Sequence, residues 1–393
     1  MSLGYPSTDV YRRRSSVDRA FDRDSTLRRL DWVLMGAVLA LLFVGTLLVW
    51  SATRQRQLDL GLDPQAVLKK HLLNIIIGIS LAVLTTLLDY RMLRAYAPLV
   101  YIASVVGLLA VLSPLGSTIN GAHSWIILPA GFSVQPSEFA KVALVVGVAM
   151  LLSERRDGES SPLLSDLGLA LGFAAIPLLL IMLQPDLGTA MVISFIILGM
   201  LAVAGVPTKW IAGMVGAAAV LGLIAIKVGV LSTYQVNRFA AFANPSLDPR
   251  GVGYNTGQAR IAIGQGGLSG QGLFKGTQTN GKFVPEQQTD FIFTVAGEEL
   301  GLIGAGMIIV LLGVILWRTI RIARRAEDLF GVLVATGIAC WFTFQAFENI
   351  GMTLGITPVT GLPLPFVSYG GSAMFANMMA IGLLQNVHLK RYV

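Results

Sequence analysis

The feature that most constrains this 393-residue chain is a succession of long apolar blocks. They occupy approximately residues 30–52, 72–88, 95–112, 139–152, 167–183, 187–206, 210–230, 291–316, 329–350 and 365–387. Most run roughly 17 to 25 residues, long enough to cross a bilayer's hydrocarbon core as a helix. The fourth is short, and Pro136 is well placed to open its helix three residues earlier. Only 13% of the residues are charged while 54% are hydrophobic, too little charge to cover a water-facing surface of this size. The expected fold is all-α and polytopic, with about ten transmembrane helices.

Net charge is +7, from 29 Lys and Arg against 22 Asp and Glu. The basic residues cluster in loops and tails on alternate sides of the blocks, so topology explains them and nucleic acid is not an expected partner. One side collects the tail arginines 12, 13, 14, 19, 23, 28 and 29, then Arg91, Arg94, Arg155, Arg156, Lys209, Arg318, Arg321, Arg324, Arg325, Lys390 and Arg391. The short loops opposite hold Arg54, Arg56, Lys69 and Lys70. Both termini are therefore expected in the cytoplasm, and residues 1–29 read as a disordered Arg-rich tail rather than a signal peptide. Trp32, Trp50, Trp210 and Trp317 fall near block ends, where an indole favours the headgroup layer. Gly213, Gly216 and Ala217 form a small-residue stripe able to pack against a helix inside or outside the bundle. A single cysteine, Cys340, and three scattered histidines exclude an internal disulfide and a Cys/His metal site.

One connection breaks the pattern of short loops. Residues 231–289, expected outside, are Gly-rich and carry Arg238, Arg250, Arg260, Lys275 and Lys282; a loop of that length usually has work to do.

Charges in or beside a membrane are costly and are kept when paired or used. Four groups stand out. In Gln135-Pro136-Ser137-Glu138-Phe139-Ala140-Lys141, Glu138 and Lys141 share a helix face, as an internal salt bridge or as substrate contacts. Gln184-Pro185-Asp186-Leu187-Gly188-Thr189 is a tight turn in which Asp186 could simply cap the next helix. Gln287-Gln288-Thr289-Asp290 ends the long loop and leads to Glu298-Glu299, with Asp290 at the outer interface as helix cap or as reactive carboxylate. From Asn349 to Ser372, Gly and Pro are dense enough to force non-helical backbone at membrane depth, tolerated where it lines a cavity or is buried in protein. Walker-type phosphate loops and a Ser/His/Asp set are missing, so any chemistry faces outward.

These groups together resemble the SEDS family of bacterial cell-wall proteins, named for shape, elongation, division and sporulation. The resemblance runs from about Leu30 onward. It is most specific in Asn349 to Ala373, ending in Ser368-Tyr369-Gly370-Gly371-Ser372-Ala373. Within the family, Gly361-Leu362-Pro363-Leu364-Pro365 and the glycines at 264, 266, 267, 270 and 272 are more similar to the elongation type, RodA, than to the division type, FtsW. Where many relatives read Gly-Ala-x-Arg-Trp, this chain has Gly121-Ala122-His123-Ser124-Trp125, with serine in place of arginine.

The resemblance implies a multi-pass plasma-membrane glycosyltransferase that polymerises lipid II, the undecaprenyl-diphosphate-linked precursor, beside a class B penicillin-binding transpeptidase and among membrane lipids. Its catalytic aspartate maps onto Asp290 and its sensitive pair onto Glu138 and Lys141. Asp290 would act as general base in one inverting displacement. Lys141, Arg238 and Arg260, or a divalent cation such as Mg or Mn, are the candidates to stabilise the departing diphosphate. Asp186, Thr289, Glu299 and Ser368 are expected to bind substrate or support the site. The competing reading is a flippase for the same lipid-linked precursor, with Glu138, Lys141 and Glu348 lining its path.

Overall fold

The computed structural model describes residues 26–119, 122–128, 132–154, 164–228, 238, 242 and 251–390. The tail through residue 25, Gly121, Arg155, Arg156, most of 231–250 and Arg391 lie outside the described residues. The helices are α1 (Thr26–Arg29), α2 (Trp32–Asp59), α3 (Ala66–Leu87), α4 (Tyr90–Ala95), α5 (Ala97–Leu112), α6 (Pro136–Ser153), α7 (Leu164–Leu183), α8 (Leu187–Val203), α9 (Thr208–Val228), α10 (Val252–Gly266), α11 (Thr277–Gly281), α12 (Ile292–Ala323), α13 (Leu329–Leu354) and α14 (Gly371–Lys390).

Each apolar block has become one helix. Seven of them, α2, α3, α6, α7, α9, α12 and α13, are both long and apolar enough to cross a membrane; α5 and α8 are apolar but shorter. Local chemistry sets their ends. Asp31 caps α2 by accepting from Leu34 N at 3.0 Å, Asp328 caps α13 by accepting from Gly331 N at 3.0 Å, and Pro136 stands in the first turn of α6. Helix α13 stops at Gly355, whose φ of 73° reverses the chain.

α6 lies deepest, with Ala140 to Ala149 almost wholly enclosed, and packs between α5, α7 and α13. α14 runs along α3, and Asn386 Nδ2 donates to three carbonyls at the end of α3, the nearest being Leu88 O at 2.6 Å. α9 buries none of its residues, and open space surrounds Gly213 and Gly216, so that stripe does not pack inside the bundle. Trp50 lies within α2, which continues to Asp59, and meets Phe274 edge-on at 4.8 Å.

Two features depart from the sequence expectation. Between α5 and α6 the chain is not plain loop but an antiparallel sheet of β1 (Gly116–Ile119), β2 (Ala122–Leu128) and β3 (Phe132–Val134), in that order, with Ile126 opposite Gly116 on one side and Val134 on the other. The fold is thus helical with one small sheet. The long connection also carries α10 and α11. Its glycines have a physical role: α12 breaks at Gly301, where φ is 67°, and the loop backbone docks into the break. Leu302 N donates to Gly267 O at 2.9 Å and Gly272 N to Glu299 O at 3.0 Å. A Cβ on Gly270 would strike Glu299 O, and one on Gly301 would strike Gly270 N, so backbone meets backbone where no side chain fits.

Candidate active site

A cavity of about 560 Å³ opens where α3, the sheet, the turn before α8, Arg238, the approach to α12 and the loop between α13 and α14 meet. Its lining is in part apolar, with Ile77, Trp125, Leu128 and Phe132, and in part polar, with Asp186, Arg238, Glu286, Thr289 and Asp290. Such a volume suits a small-molecule or headgroup-sized ligand.

Asp290 does not cap α12. The first residue of that helix is preceded by Phe291, which makes no side-chain cap, and Asp290 N instead donates to Glu286 O at 3.1 Å, closing a tight turn. Glu286 takes a left-handed φ of 50° to allow it. Three braces hold the turn. Asn349 Nδ2 donates to Asp290 O at 2.8 Å and to Leu362 O at 2.7 Å. Ser368 Oγ donates to Thr289 O at 2.5 Å while accepting from Leu364 N at 2.7 Å. Tyr369 N donates to Gln288 O at 2.9 Å. The Ser368-Tyr369 motif therefore works as a splint for the Asp290 turn, and Ser368 itself stays behind the wall.

Burial is the chief cause that pushes the Asp290 carboxyl up to about 7, with the Glu286 carboxylate adding to it and Asp186 adding less. The Arg238 guanidinium and a hydrogen bond from Thr289 oppose the shift. Arg238 is fixed by donating from Nη1 to Thr360 O at 3.1 Å. A Cβ on Gly361 would lie 3.3 Å from Asp290 Oδ2 and 4.0 Å from Arg238 Nη1, so both groups face that glycine, whose φ is 79°. Gly361→Ala would strain the backbone by about 1 kcal/mol and crowd the carboxylate. It should cost activity far more than stability, which thermal unfolding and turnover measured on one preparation will separate.

Asp186 caps the next helix and also lines the cavity. Its Oδ1 accepts from Thr189 N at 3.0 Å as a helix cap, and its Oδ2 accepts from Gln135 Nε2 at 3.0 Å on the cavity wall. Glu138 and Lys141 are not on the cavity. They form a buried pair at 2.8 Å, with Lys141 Nζ also donating to Gln345 Oε1 at 3.2 Å and lying 4.7 Å from the Trp341 ring centroid. Gln345 Nε2 in turn donates to Pro363 O at 2.7 Å, so the pair supports the cavity wall from behind. Arg260 is exposed beside Gly355, outside the cavity lining. Glu299 accepts from Ser51 Oγ at 2.6 Å, and Glu298 accepts from Gln278 N at 2.7 Å and Thr279 N at 2.9 Å; both anchor the long connection. Among the three cations named for an anion, only Arg238 lines the cavity. Glu348 is buried in α13 rather than set along an open path.

Two wall residues escaped the sequence reading. Lys70 reads from the sequence only as a loop charge, but it lies in α3 one helical turn before Asn74, which also lines the cavity. Glu286 precedes Asp290 by four residues, a spacing that was the available signal for a second carboxylate. Ser124, the serine in Gly121-Ala122-His123-Ser124-Trp125, also lines the cavity. Among the described residues no three His, Cys, Asp or Glu side chains are grouped to hold a metal ion.

Comparison with known proteins gives a concordant picture. The family model for the cell cycle proteins FtsW, RodA and SpoVE matches residues 31–393. The chain is 37% identical over 370 residues to a probable peptidoglycan glycosyltransferase FtsW of Trichlorobacter lovleyi, covering 92% of this chain and 93% of that one. It is 36% identical over 365 residues to the peptidoglycan glycosyltransferase MrdB of Escherichia coli K12, covering 92% and 94%. Among solved structures, a chain from a peptidoglycan synthase complex that coordinates polymerization and crosslinking superposes with a TM-score of 0.74 at 31% identity, covering 92% and 98%.

Proposed function

Because the chain belongs to the FtsW, RodA and SpoVE family of multi-pass membrane proteins, we propose that it is a peptidoglycan glycosyltransferase that polymerises lipid II at the outer face of the plasma membrane. The observation that carries this reading is Asp290, braced by three separate contacts and facing a cavity it shares with Arg238.

The chemistry needs one displacement. The acceptor sugar's 4-hydroxyl oxygen attacks the donor's anomeric carbon as the bond to the undecaprenyl diphosphate breaks, inverting an α link into a β-1,4 link. Asp290 takes the hydroxyl proton, and its raised pKa near 7 makes it a stronger base than an ordinary carboxylate while leaving it ionised in part at neutral pH. The bonding electrons leave with the diphosphate, which Arg238 and Lys70 meet as preplaced cations on the cavity wall. Glu286 and Asp290 are hard oxygen donors that fit Mg only if diphosphate oxygens complete the shell.

Asp290 must be deprotonated to act, so turnover should rise with pH along a limb near 7. Glu286→Gln removes a carboxylate that raises the Asp290 pKa, so its limb should move to lower pH; a pH–rate profile of both forms checks this.

The deciding experiment gives lipid II to the purified protein with its cognate class B transpeptidase and looks for glycan strands. Failure to polymerise under every condition, with lipid II crossing liposomes that hold the protein, would replace this reading with the flippase. The Gly361 to Pro365 motif supports an elongation role. Depletion in cells should then give rounding, whereas filaments would assign the division role.

A further inference from the structure

At the end of α12 remote from Asp290, Arg318 and Arg321 lie in the last turns of the helix, and Arg324 and Arg325 follow directly in the turn after Ala323. They do not share one role. Arg318 is committed to Asp31, donating from Nη2 at 2.6 Å and from Nε at 2.8 Å, which ties α12 to the start of α2. Asp328, the next acidic group along the chain after the exposed Glu327, is held by Lys390 at 2.7 Å and by Tyr90 Oη at 2.6 Å. Arg321, Arg324 and Arg325 line, together with Trp317 and Ile320, a second cavity of about 430 Å³.

Trp317 is 54% exposed, with the guanidinium carbons of Arg318 and Arg321 at 5.3 and 5.7 Å from its ring centroid. Above it, Val310, Gly313, Trp317 and Ile320 lie along one exposed helix face, and beside Gly313 there is open space. Beyond its break at Gly301, the unbroken residues 302–323 of α12 span about 33 Å, slightly more than the hydrocarbon core, so its last turn and the arginines just past it lie in the headgroup layer on the side opposite the active-site cavity. Arginines at a helix end are favoured by the backbone dipole alone, but that would scatter them around the helix rather than aim three at one cavity beside an exposed indole.

We propose that this cavity binds the headgroup of an anionic phospholipid, with its phosphate among Arg321, Arg324 and Arg325 and its acyl chains along the Val310 to Ile320 face. A phospholipid alone among common anions brings both the charge and the apolar tail that this surface presents. Its orientation toward the cytoplasmic leaflet follows the basic residues on that side.

The test follows thermal unfolding of the detergent-purified full chain during titration with phosphatidylglycerol, phosphatidylcholine or inorganic phosphate. Phosphatidylglycerol should raise Tm saturably, and the triple variant Arg321→Gln/Arg324→Gln/Arg325→Gln should need at least tenfold more of it. Arg318 is left intact in that variant, so its lipid-free Tm should stay near that of the parent. Equal stabilisation by phosphatidylcholine or by phosphate overturns the proposal, as does an unchanged titration in the triple variant. If the variant does not fold, the parent protein in nanodiscs decides. Brominated phosphatidylglycerol should quench the emission that Trp317→Phe removes at least twice as strongly as brominated phosphatidylcholine does at equal bromine content, and equal quenching refutes the site.

Discussion

Asp290→Asn should abolish polymerisation, lowering turnover roughly a hundred- to ten-thousand-fold, the usual contribution of a positioned base. The amide has nearly the same shape, and the braces on this turn reach main-chain atoms, Asn349 on the Asp290 carbonyl and Ser368 on the Thr289 carbonyl. The fold should therefore persist. Stability supplies an independent reading of the same substitution. The folded protein holds the Asp290 carboxyl up to about 7 against an ordinary value of 3.8, so it binds this proton more tightly than the unfolded chain does. The ionised carboxylate accordingly costs stability, a cost absent below pH ~4, growing up to pH ~7 and constant above. Asn carries no such cost. The variant should unfold at a higher Tm than the parent at pH 8, and the gap should close as pH falls toward 4. Lost activity with a lower Tm at pH 8 would show that Asp290 serves the fold rather than the reaction.

Lys141→Met is expected to have the largest effect on stability. Lys141 and Glu138 are both buried in α6, 2.8 Å apart, and removing the ammonium leaves a carboxylate in the bundle interior with no counter-charge. Breaking such a pair from one side costs about 3–5 kcal/mol, whereas replacing both charges by neutral groups is often nearly neutral. The double variant Glu138→Gln/Lys141→Met should therefore regain most of what the single variant loses, as judged by denaturation in detergent. The same comparison tests how the pair acts on activity. Its route to the cavity runs through Gln345 to Pro363 O, so a stable double variant should retain substantial turnover with a weakened substrate KM. A stable double variant without turnover would mean that Lys141 meets the substrate directly in some state of the enzyme.

The helices were legible because burial in a bilayer demands long apolar runs, and each of the ten runs has become a helix. The candidate base was legible for a similar reason: a carboxylate placed between a polar loop and an apolar run is expensive to keep. Lys70 and Glu286 were not legible, since in the sequence each is an ordinary charge in a polar stretch until the fold, with Lys70 in the first turns of α3, sets both on the cavity that holds Asp290. The sheet from Gly116 to Val134 was missed because its strands are short and interrupted by glycine, with no sustained alternation to read. Glu299 and Ser368, expected to bind substrate or to support the site, lie off the cavity lining: the backbone of Glu299 anchors the long connection and Ser368 supports the Asp290 turn.

The sequence by itself determined the class of the protein, the positions of its membrane helices, the family resemblance and the carboxylate on which to bet. These follow from local hydrophobicity and from motifs contiguous in the chain. Only the tertiary structure decided which charges share a space. It enclosed Lys141 behind the wall, left Arg260 outside it, and brought Arg238 and Lys70 to the cavity from segments far apart in sequence. The physical reason is that the cost or use of a charge depends on its solvation and its neighbours in three dimensions, which residue order does not specify.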